Sequence, residues 1–311
     1  MNVIYITSDN RSGSTMLYMM LGGHSNITAL GEIYHLRAYA LQDRSDYDPV
    51  HELICLCGKR LSDCEYWTKI EMALGKSFDL LKLKPYYVVR DKQRAALDQY
   101  FRKFIWWALQ RLPGLYENRI TYRILGDKVI ATDSFDLYEA VSKVSDTPYV
   151  LDSSKNPFRL RELIYKDADR IKVIILYRDY KGVIHSKTKR GVPLKKAAME
   201  WKWHVRQMDL FSKSLNENQV LRIRYEDLCT NTEKEMHRIC GFLNLTFEPA
   251  VLQRNRQGLH QIGGSPSKFI GGERPIELDK SYKEGLTAKE ISFAYKLVRT
   301  EADALGYDNG E

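Results

Sequence analysis

The chain has 311 residues, 44% of them hydrophobic, and sets 48 Lys and Arg against 40 Asp and Glu, a formal net charge of +8. That length and apolar content can build a core without disulfide or metal staples, and the balance excludes a disordered, collagen-like or coiled-coil chain. The modest positive surplus favours an anionic ligand and does not by itself indicate nucleic acid.

A first strand is expected at Asn2–Thr7, with neither the basic nor the long apolar region of a targeting segment. No run approaches the ~18 consecutive apolar residues of a membrane span. Ser8–Thr15 is polar and contains Gly13, and the helix that follows carries Met16, Leu17, Met19, Met20 and Leu21. A strand, a short loop and a helix amino-terminus make an anion cradle from backbone N–H groups, the helix dipole and hydroxyls. An ordinary strand–helix turn is the alternative. Set against a Walker A loop, Gly13 matches the second glycine, but Ser8 stands at the first and Ser14 at the lysine. Without that lysine an ATPase, GTPase or ordinary kinase is disfavoured. Arg11 sits just before the cradle, where a guanidinium could grip a transferred group.

A second extended piece is expected at Asn26–Leu30, ending in Gly31 and Glu32. Residues 36–125 lack strong strand signals and read as a mostly helical insertion over the sheet. It holds a helix from Trp67 and an aromatic helix at Ala95–Leu112 with Tyr100, Phe101, Phe104, Trp106 and Trp107, closed by Pro113 and Gly114. Core packing or an aromatic-lined cleft would both use those rings. Three of five cysteines cluster here, Cys55, Cys57 and Cys64, with Cys229 and Cys240 elsewhere. An odd count without a signal peptide points to a reducing compartment, hence a cytoplasmic protein. The cluster reads as a local turn with semi-buried thiols. A disulfide is the alternative, or a metal clip whose fourth ligand would have to be His51.

The α/β pattern then resumes. Lys128–Ala131 is a weak strand candidate and Asp133–Val144 a helix. Tyr149–Leu151 is a short strand leading into Asp152–Lys155, and helix Pro157–Lys166 has proline in its first turn. Ile171–Tyr177 is nearly all apolar, as a central parallel strand should be. Arg178–Gly182 ends it, and a helix follows near Ala197–Leu215. Strand Val220–Ile223 closes at Tyr225–Leu228, and Thr230–Phe242 is a helix. The fold class is α/β: one P-loop-like, three-layer domain with a mostly parallel central sheet flanked by helices, plus the insertion. A ligand site is expected along the carboxyl edge of such a sheet, at loops 8–15, 152–155, 178–186 and 225–228. Arg178 and Ser186, eight residues apart, could share a second phosphate; a surface arginine and a helix serine are the alternative.

Together these segments resemble the PAPS-dependent sulfotransferase superfamily, in the bacterial form related to carbohydrate and tyrosylprotein sulfotransferases. Thr7–Thr15 looks like its 5′-phosphosulfate loop in the R-S-G-[ST]-[ST] form. Tyr177–Ser186 looks like its 3′-phosphate motif, and Arg222–Leu228 like its later Tyr-Glu-Asp segment. Cys55–Gly58 with Cys64–Trp67, Asp152–Lys155, and His260–Lys268 look like features of bacterial relatives. Asp9 and Asn10 before Arg11, and Ser265 after Gly264, depart from the usual residues.

The resemblance implies that Arg11, Ser12, Gly13, Ser14 and Thr15 hold the 5′-phosphosulfate of PAPS and that Arg178 and Ser186 hold its 3′-phosphate. Tyr225 would lie near the adenine, while Ser267 and Lys268 would close over the donor from a carboxyl-terminal loop and helix at about 258–305. Glu32 would be the general base, with His35 its rival. Lys155 would stabilise the leaving phosphate, unless it merely pairs with Asp152. No metal is required for the transfer, and none is assigned. The expected partners are PAPS and a hydroxyl acceptor, with a sugar favoured; a phenolic or alcohol metabolite and a peptide tyrosine are the alternatives. Candidate acceptor-pocket residues are Tyr86, Tyr87, Arg90, Arg94, Tyr100, Trp106, Trp107, Arg190, Trp201, Trp203 and His204. The dispersed basic residues argue against nucleic acid. A P-loop nucleotide kinase and a non-catalytic nucleotide-binding protein are the readings from other classes.

Overall fold

A computed structural model describes residues 1–41, 54–83, 128–213, 215–254, 258–265 and 275–309. Five strands form one sheet: β1 (Asn2–Ser8), β2 (Ile27–Gly31), β3 (Tyr149–Lys155), β4 (Ile171–Tyr177) and β5 (Val220–Arg224). Their order is β2-β3-β1-β4-β5, and every neighbouring pair is parallel. Parallel strands need crossover connections, and the helices that supply these cover both faces. Alternation along β1 shows the two layers. Val3 and Tyr5 enter a core with Trp67, Tyr138, Leu160, Val183, Trp201 and Val298. Ile4 and Ile6 enter a second core with Met16–Leu21, Met236, Ile239 and Leu243.

Helix α1 (Ser14–Leu21) is buried at seven of its eight positions, as its run of methionines and leucines suggests. Helix α2 (Glu65–Leu74) lies in the inserted region and buries Trp67 and Ile70. Helix α3 (Lys128–Ser145) corrects the strand expected at Lys128–Ala131. Exposed positions fall at Thr132, Asp136, Glu139 and Lys143, a helical outer face, while Ile130, Ala131, Leu137, Tyr138 and Val141 are buried. A short apolar burst looks the same in a strand and in the buried side of a helix. Helix α4 (Pro157–Asp167) begins on the Asn156 side chain, which accepts from the N–H groups of Phe158 and Arg159. The helix expected near Ala197–Leu215 is preceded by another: α5 (Tyr180–Thr188) and α6 (Leu194–Ser212) are separated by a turn holding Gly191 and Pro193. Helices α7 (Thr232–Leu243) and α8 (Ala288–Ala304) complete the layers. The aromatic helix expected at 95–112, most of the insertion, His51, Ser267 and Lys268 lie outside the described residues.

β1 lies between β3 and β4, so the chain departs to opposite sides of it. This is the crevice at which open parallel sheets bind ligands, outside the carboxyl ends of the strands. Ser8, Glu32, Lys155, Arg178 and Tyr225 all stand at or just beyond those ends.

Candidate active site

The loop after β1 turns into α1 through Gly13, whose φ of 87° lies in the left-handed region. A Cβ added there would come within 2.5 Å of the Tyr225 ring. Gly13 gives α1 no side-chain cap, and the first turn carries no acidic residue. The leading N–H groups of a helix have no intrahelical acceptor, so an anion could satisfy them. The Ser8 hydroxyl nearby is buried without a hydrogen-bond partner. The cradle therefore fits a phosphate or sulfate ester. Ser12 and Ser14 are buried in its wall, and the Thr15 hydroxyl accepts from the Ser265 N–H at 3.3 Å.

The residues expected at a second phosphate lie on the β4 side. Arg11 donates through Nε to Ser186 Oγ at 2.9 Å and through Nη1 to Ser265 Oγ at 3.4 Å. Arg178 donates to the Arg11 carbonyl at 2.8 Å, and its guanidinium lies 4.4 Å from the centre of the Tyr225 ring. The three residues expected at two separate phosphates thus meet in one basic patch. Burial, then the neighbouring Arg190 and Arg178, lower the Arg11 pKa, and Asp279 opposes the shift. Arg178 also pairs with Asp279 at 2.9 Å. Although burial opposes it, hydrogen bonds from Ser281 and the Arg178 guanidinium hold the Asp279 carboxyl well below its ordinary range. Nothing in the sequence pointed to Asp279. Tyr225, expected near an adenine, packs between Gly13 and Arg178 and accepts from the Asp279 N–H at 3.3 Å. Burial pushes its phenol up to about 12.

On the β3 side, Glu32, Lys155 and His35 converge. Glu32 Oε1 lies 2.6 Å from Lys155 Nζ, and Oε2 lies 3.7 Å from His35 Nε2. Lys155 does not depend on Asp152 for a counter-charge. Asp152 instead accepts from Tyr138 at 2.6 Å, from Arg159 Nε at 3.1 Å and from Ser154 N at 2.8 Å, wholly inside the protein. Arg159 also donates to the Leu83 carbonyl at 2.7 Å. This buried network, which sequence reasoning missed, braces the end of β3. Lys155 has a φ of 63° and Arg11 one of 74°. Non-glycine residues in that region are uncommon and collect at functional sites.

Residues 260–265 span the two halves of the site. Ile262 pairs with β2, its N–H reaching the Leu30 carbonyl at 3.0 Å and its carbonyl taking the Glu32 N–H at 2.8 Å. Gly263, at φ 64°, lies so close that a Cβ there would come 2.6 Å from Glu32 Cβ. Ser265 then meets Arg11 and Thr15. Of the acceptor-pocket candidates, Trp201 belongs to the core, its indole N–H on the Arg178 carbonyl at 2.9 Å. Trp203 packs on Phe158 with ring centres 5.7 Å apart. His204 faces Asp9 at 3.5 Å, and Asp9 is buried against Lys187 at 2.9 Å. That pairing accounts for the unusual acid before Arg11. Tyr86, Tyr87, Arg90, Arg94, Tyr100, Trp106 and Trp107 lie outside the described residues.

An anion cradle on one side of β1 and a carboxylate–ammonium pair on the other fit an enzyme that acts on an anionic substrate. The sequence model of the Sulfotransferase family matches residues 3–249, and the chain belongs to that family, whose sulfuryl donor is PAPS. The fold is similar to the sulfotransferase domain from the curacin biosynthetic pathway, at 22% identity and TM-score 0.56, over 99% of this chain and 98% of that one. It is also similar to the sulfotransferase domain of the Synechococcus PCC 7002 olefin synthase, at 18% identity and TM-score 0.51, over 99% and 94%. A Caenorhabditis briggsae protein, named as a candidate protein-tyrosine sulfotransferase, is 27% identical over 160 residues. That match covers about half of each chain, 48% of this one and 55% of the relative. No helix among the described residues is long and apolar enough to cross a membrane.

Proposed function

We propose that the protein transfers the sulfuryl group of PAPS to a carbohydrate or glycan hydroxyl, with Glu32 as general base. This rests on one observation above all, the Glu32 carboxylate held 2.6 Å from the Lys155 ammonium at the sheet edge that carries the anion cradle. The α1 amino-terminus and Ser12–Thr15 bind the 5′-phosphosulfate, and Arg178 with Ser186 binds the 3′-phosphate. Arg11, hydrogen-bonded to Ser186, joins the two clamps. Glu32 takes the acceptor hydroxyl's proton while the acceptor oxygen bonds to sulfur and the bond from sulfur to the bridging oxygen breaks. Lys155 turns from Glu32 to that oxygen as charge grows on it, which leaves Glu32 free to act as base. By analogy with phosphoryl transfer, positioning and charge stabilisation supply most of the rate.

The R-S-G-S-T loop and a carboxylate base support a sugar or tyrosine hydroxyl over a small phenol, and the exposed cations near the cleft suit an anionic glycan. The C. briggsae relative favours peptide tyrosine as the second reading. The free thiols Cys229 and Cys240 support a cytoplasmic setting. A screen with labelled PAPS across glycans, phenols and tyrosine peptides tests the acceptor. Label appearing only in tyrosine peptides would replace the sugar reading, and no transfer to any hydroxyl would reject the function.

A further inference from the structure

The cysteine cluster lies outside the anion cradle described above, and its geometry is closely defined. Ile54 and Arg60 form an antiparallel bridge, and within it Cys55 N donates to the Lys59 carbonyl at 2.9 Å and Gly58 N to the Cys55 carbonyl at 2.9 Å. This tight turn aims Cys55 and Cys57 at Cys64, which immediately precedes α2. Among the described residues the fourth group is His260, roughly two hundred residues away in sequence. Cys57 Sγ lies 3.7 Å from Cys64 Sγ, and His260 Nδ1 lies 3.2 Å from Cys64 Sγ and 3.8 Å from Cys55 Sγ. All four ligand atoms fall within 4.8 Å of one another.

We infer that Cys55, Cys57, Cys64 and His260 bind one zinc ion as a structural site. A tetrahedral ion with Zn–S of about 2.3 Å and Zn–N of about 2.0–2.1 Å holds sulfurs about 3.8 Å apart and sulfur and nitrogen about 3.6 Å apart. The observed separations scatter around those values, and a sulfur pair at 3.7 Å is far beyond a disulfide bond. Three thiols and an imidazole suit zinc and exclude magnesium and calcium, which take oxygen ligands. The imidazole is fixed in place by its neighbours. Tyr66 stacks on it with ring centres 4.6 Å apart and planes 14° apart, and the Tyr66 hydroxyl is tied to Ser145 at 2.8 Å. With four protein ligands the ion has no open position, so it takes no part in the transfer. Binding releases the thiol protons to solvent, so zinc affinity falls as pH falls.

The site has a mechanical consequence. His260 begins the segment that runs past Glu32 to Arg11, and the Leu56 N–H bonds the Gln261 carbonyl at 2.9 Å. Zinc therefore fastens that strap to the cysteine turn, holding Gly263 against Glu32.

Metal analysis of the protein purified without chelator tests the inference. About one zinc per chain is expected. Cobalt(II) added to the zinc-stripped protein should give a thiolate charge-transfer band. Cys57→Ser, at an exposed position, and His260→Ala should lose most of the metal and the band, while Cys240→Ser keeps both. Circular dichroism of the variants separates ligand loss from misfolding. Stripping zinc should speed amide exchange across residues 258–265 and leave β1 and β4 protected. Absence of both metal and cobalt band, unchanged zinc in Cys57→Ser, or a Cys57–Cys64 disulfide in the freshly isolated protein would each overturn the site. Unchanged exchange in the strap on stripping would overturn its fastening role.

Discussion

Glu32 and Asp279 are the two carboxylates whose partners decide what the site can do. Glu32→Gln keeps the shape and removes the base. Turnover should fall by about 10²–10⁴-fold, the usual span of general-base catalysis, while calorimetry with 3′,5′-ADP shows unchanged affinity. His35→Ala should retain most of the rate; the opposite pattern would make His35 the base. Asp279 occupies the Arg178 guanidinium at 2.9 Å, which the proposed function assigns to the 3′-phosphate. Asp279→Asn should therefore tighten 3′,5′-ADP binding several-fold in the same titration. The carboxyl's depressed pKa sets a pH dependence. Its stabilising effect is fully present above the unfolded value of about 3.9 and is lost only as pH falls through the lower folded value. The melting-temperature gap between wild type and Asp279→Asn should hold from neutral pH to about pH 4 and close below it.

Among the elements, the loop after β1 and the strap at 260–265 meet the chemistry through glycines, and the two should fail differently. Gly13→Ala forces a Cβ into a left-handed backbone and against Tyr225 at 2.5 Å. It should destabilise the protein by more than about 1 kcal/mol and weaken 3′,5′-ADP binding, because the cradle and the Arg178–Tyr225 stack shift together. Gly263→Ala brings its Cβ against Glu32 at 2.6 Å, on the far side of β1 from Arg178 and Ser186. It should lower kcat and leave the 3′,5′-ADP dissociation constant nearly unchanged. Equal loss of binding in both variants would mean that Gly263, like Ser265 further along the strap, supports the donor site.

For the whole molecule, the positive surplus has a local meaning. Arg11, Arg178 and Arg190 crowd one edge of the sheet, and Arg11 is driven down by that crowding after burial. A nucleotide carrying two phosphate groups, bound as proposed, would relieve it. At a hundred times its dissociation constant, 3′,5′-ADP should stabilise the fold by about 2.7 kcal/mol, seen as a raised melting temperature that shrinks with added salt. ATP with magnesium should give a smaller shift or none; the reverse order would favour a kinase over a sulfotransferase.

Local chemistry determined much of this protein from sequence alone. Ile171–Tyr177 reads as a strand buried on both faces because nearly every residue is apolar, and Ser12–Thr15 before an apolar helix reads as an anion cradle or an ordinary strand–helix turn. Arg11, Glu32, Lys155 and Arg178 each stand within a few residues of a strand's end, so strand prediction carried them to one edge, while Ser186 lies within α5, the helix that follows β4. Lys128–Ala131 was misread because four apolar-rich residues carry no periodicity. The pairings across the fold were decided only by tertiary structure. Asp152 turns to Tyr138 and Arg159 and so leaves Lys155 to Glu32. Asp279 returns to Arg178 from a hundred residues on, and His260 joins the cysteine cluster from roughly two hundred. Such contacts depend on which strands are neighbours and where the connections cross, and no spacing along the chain records that.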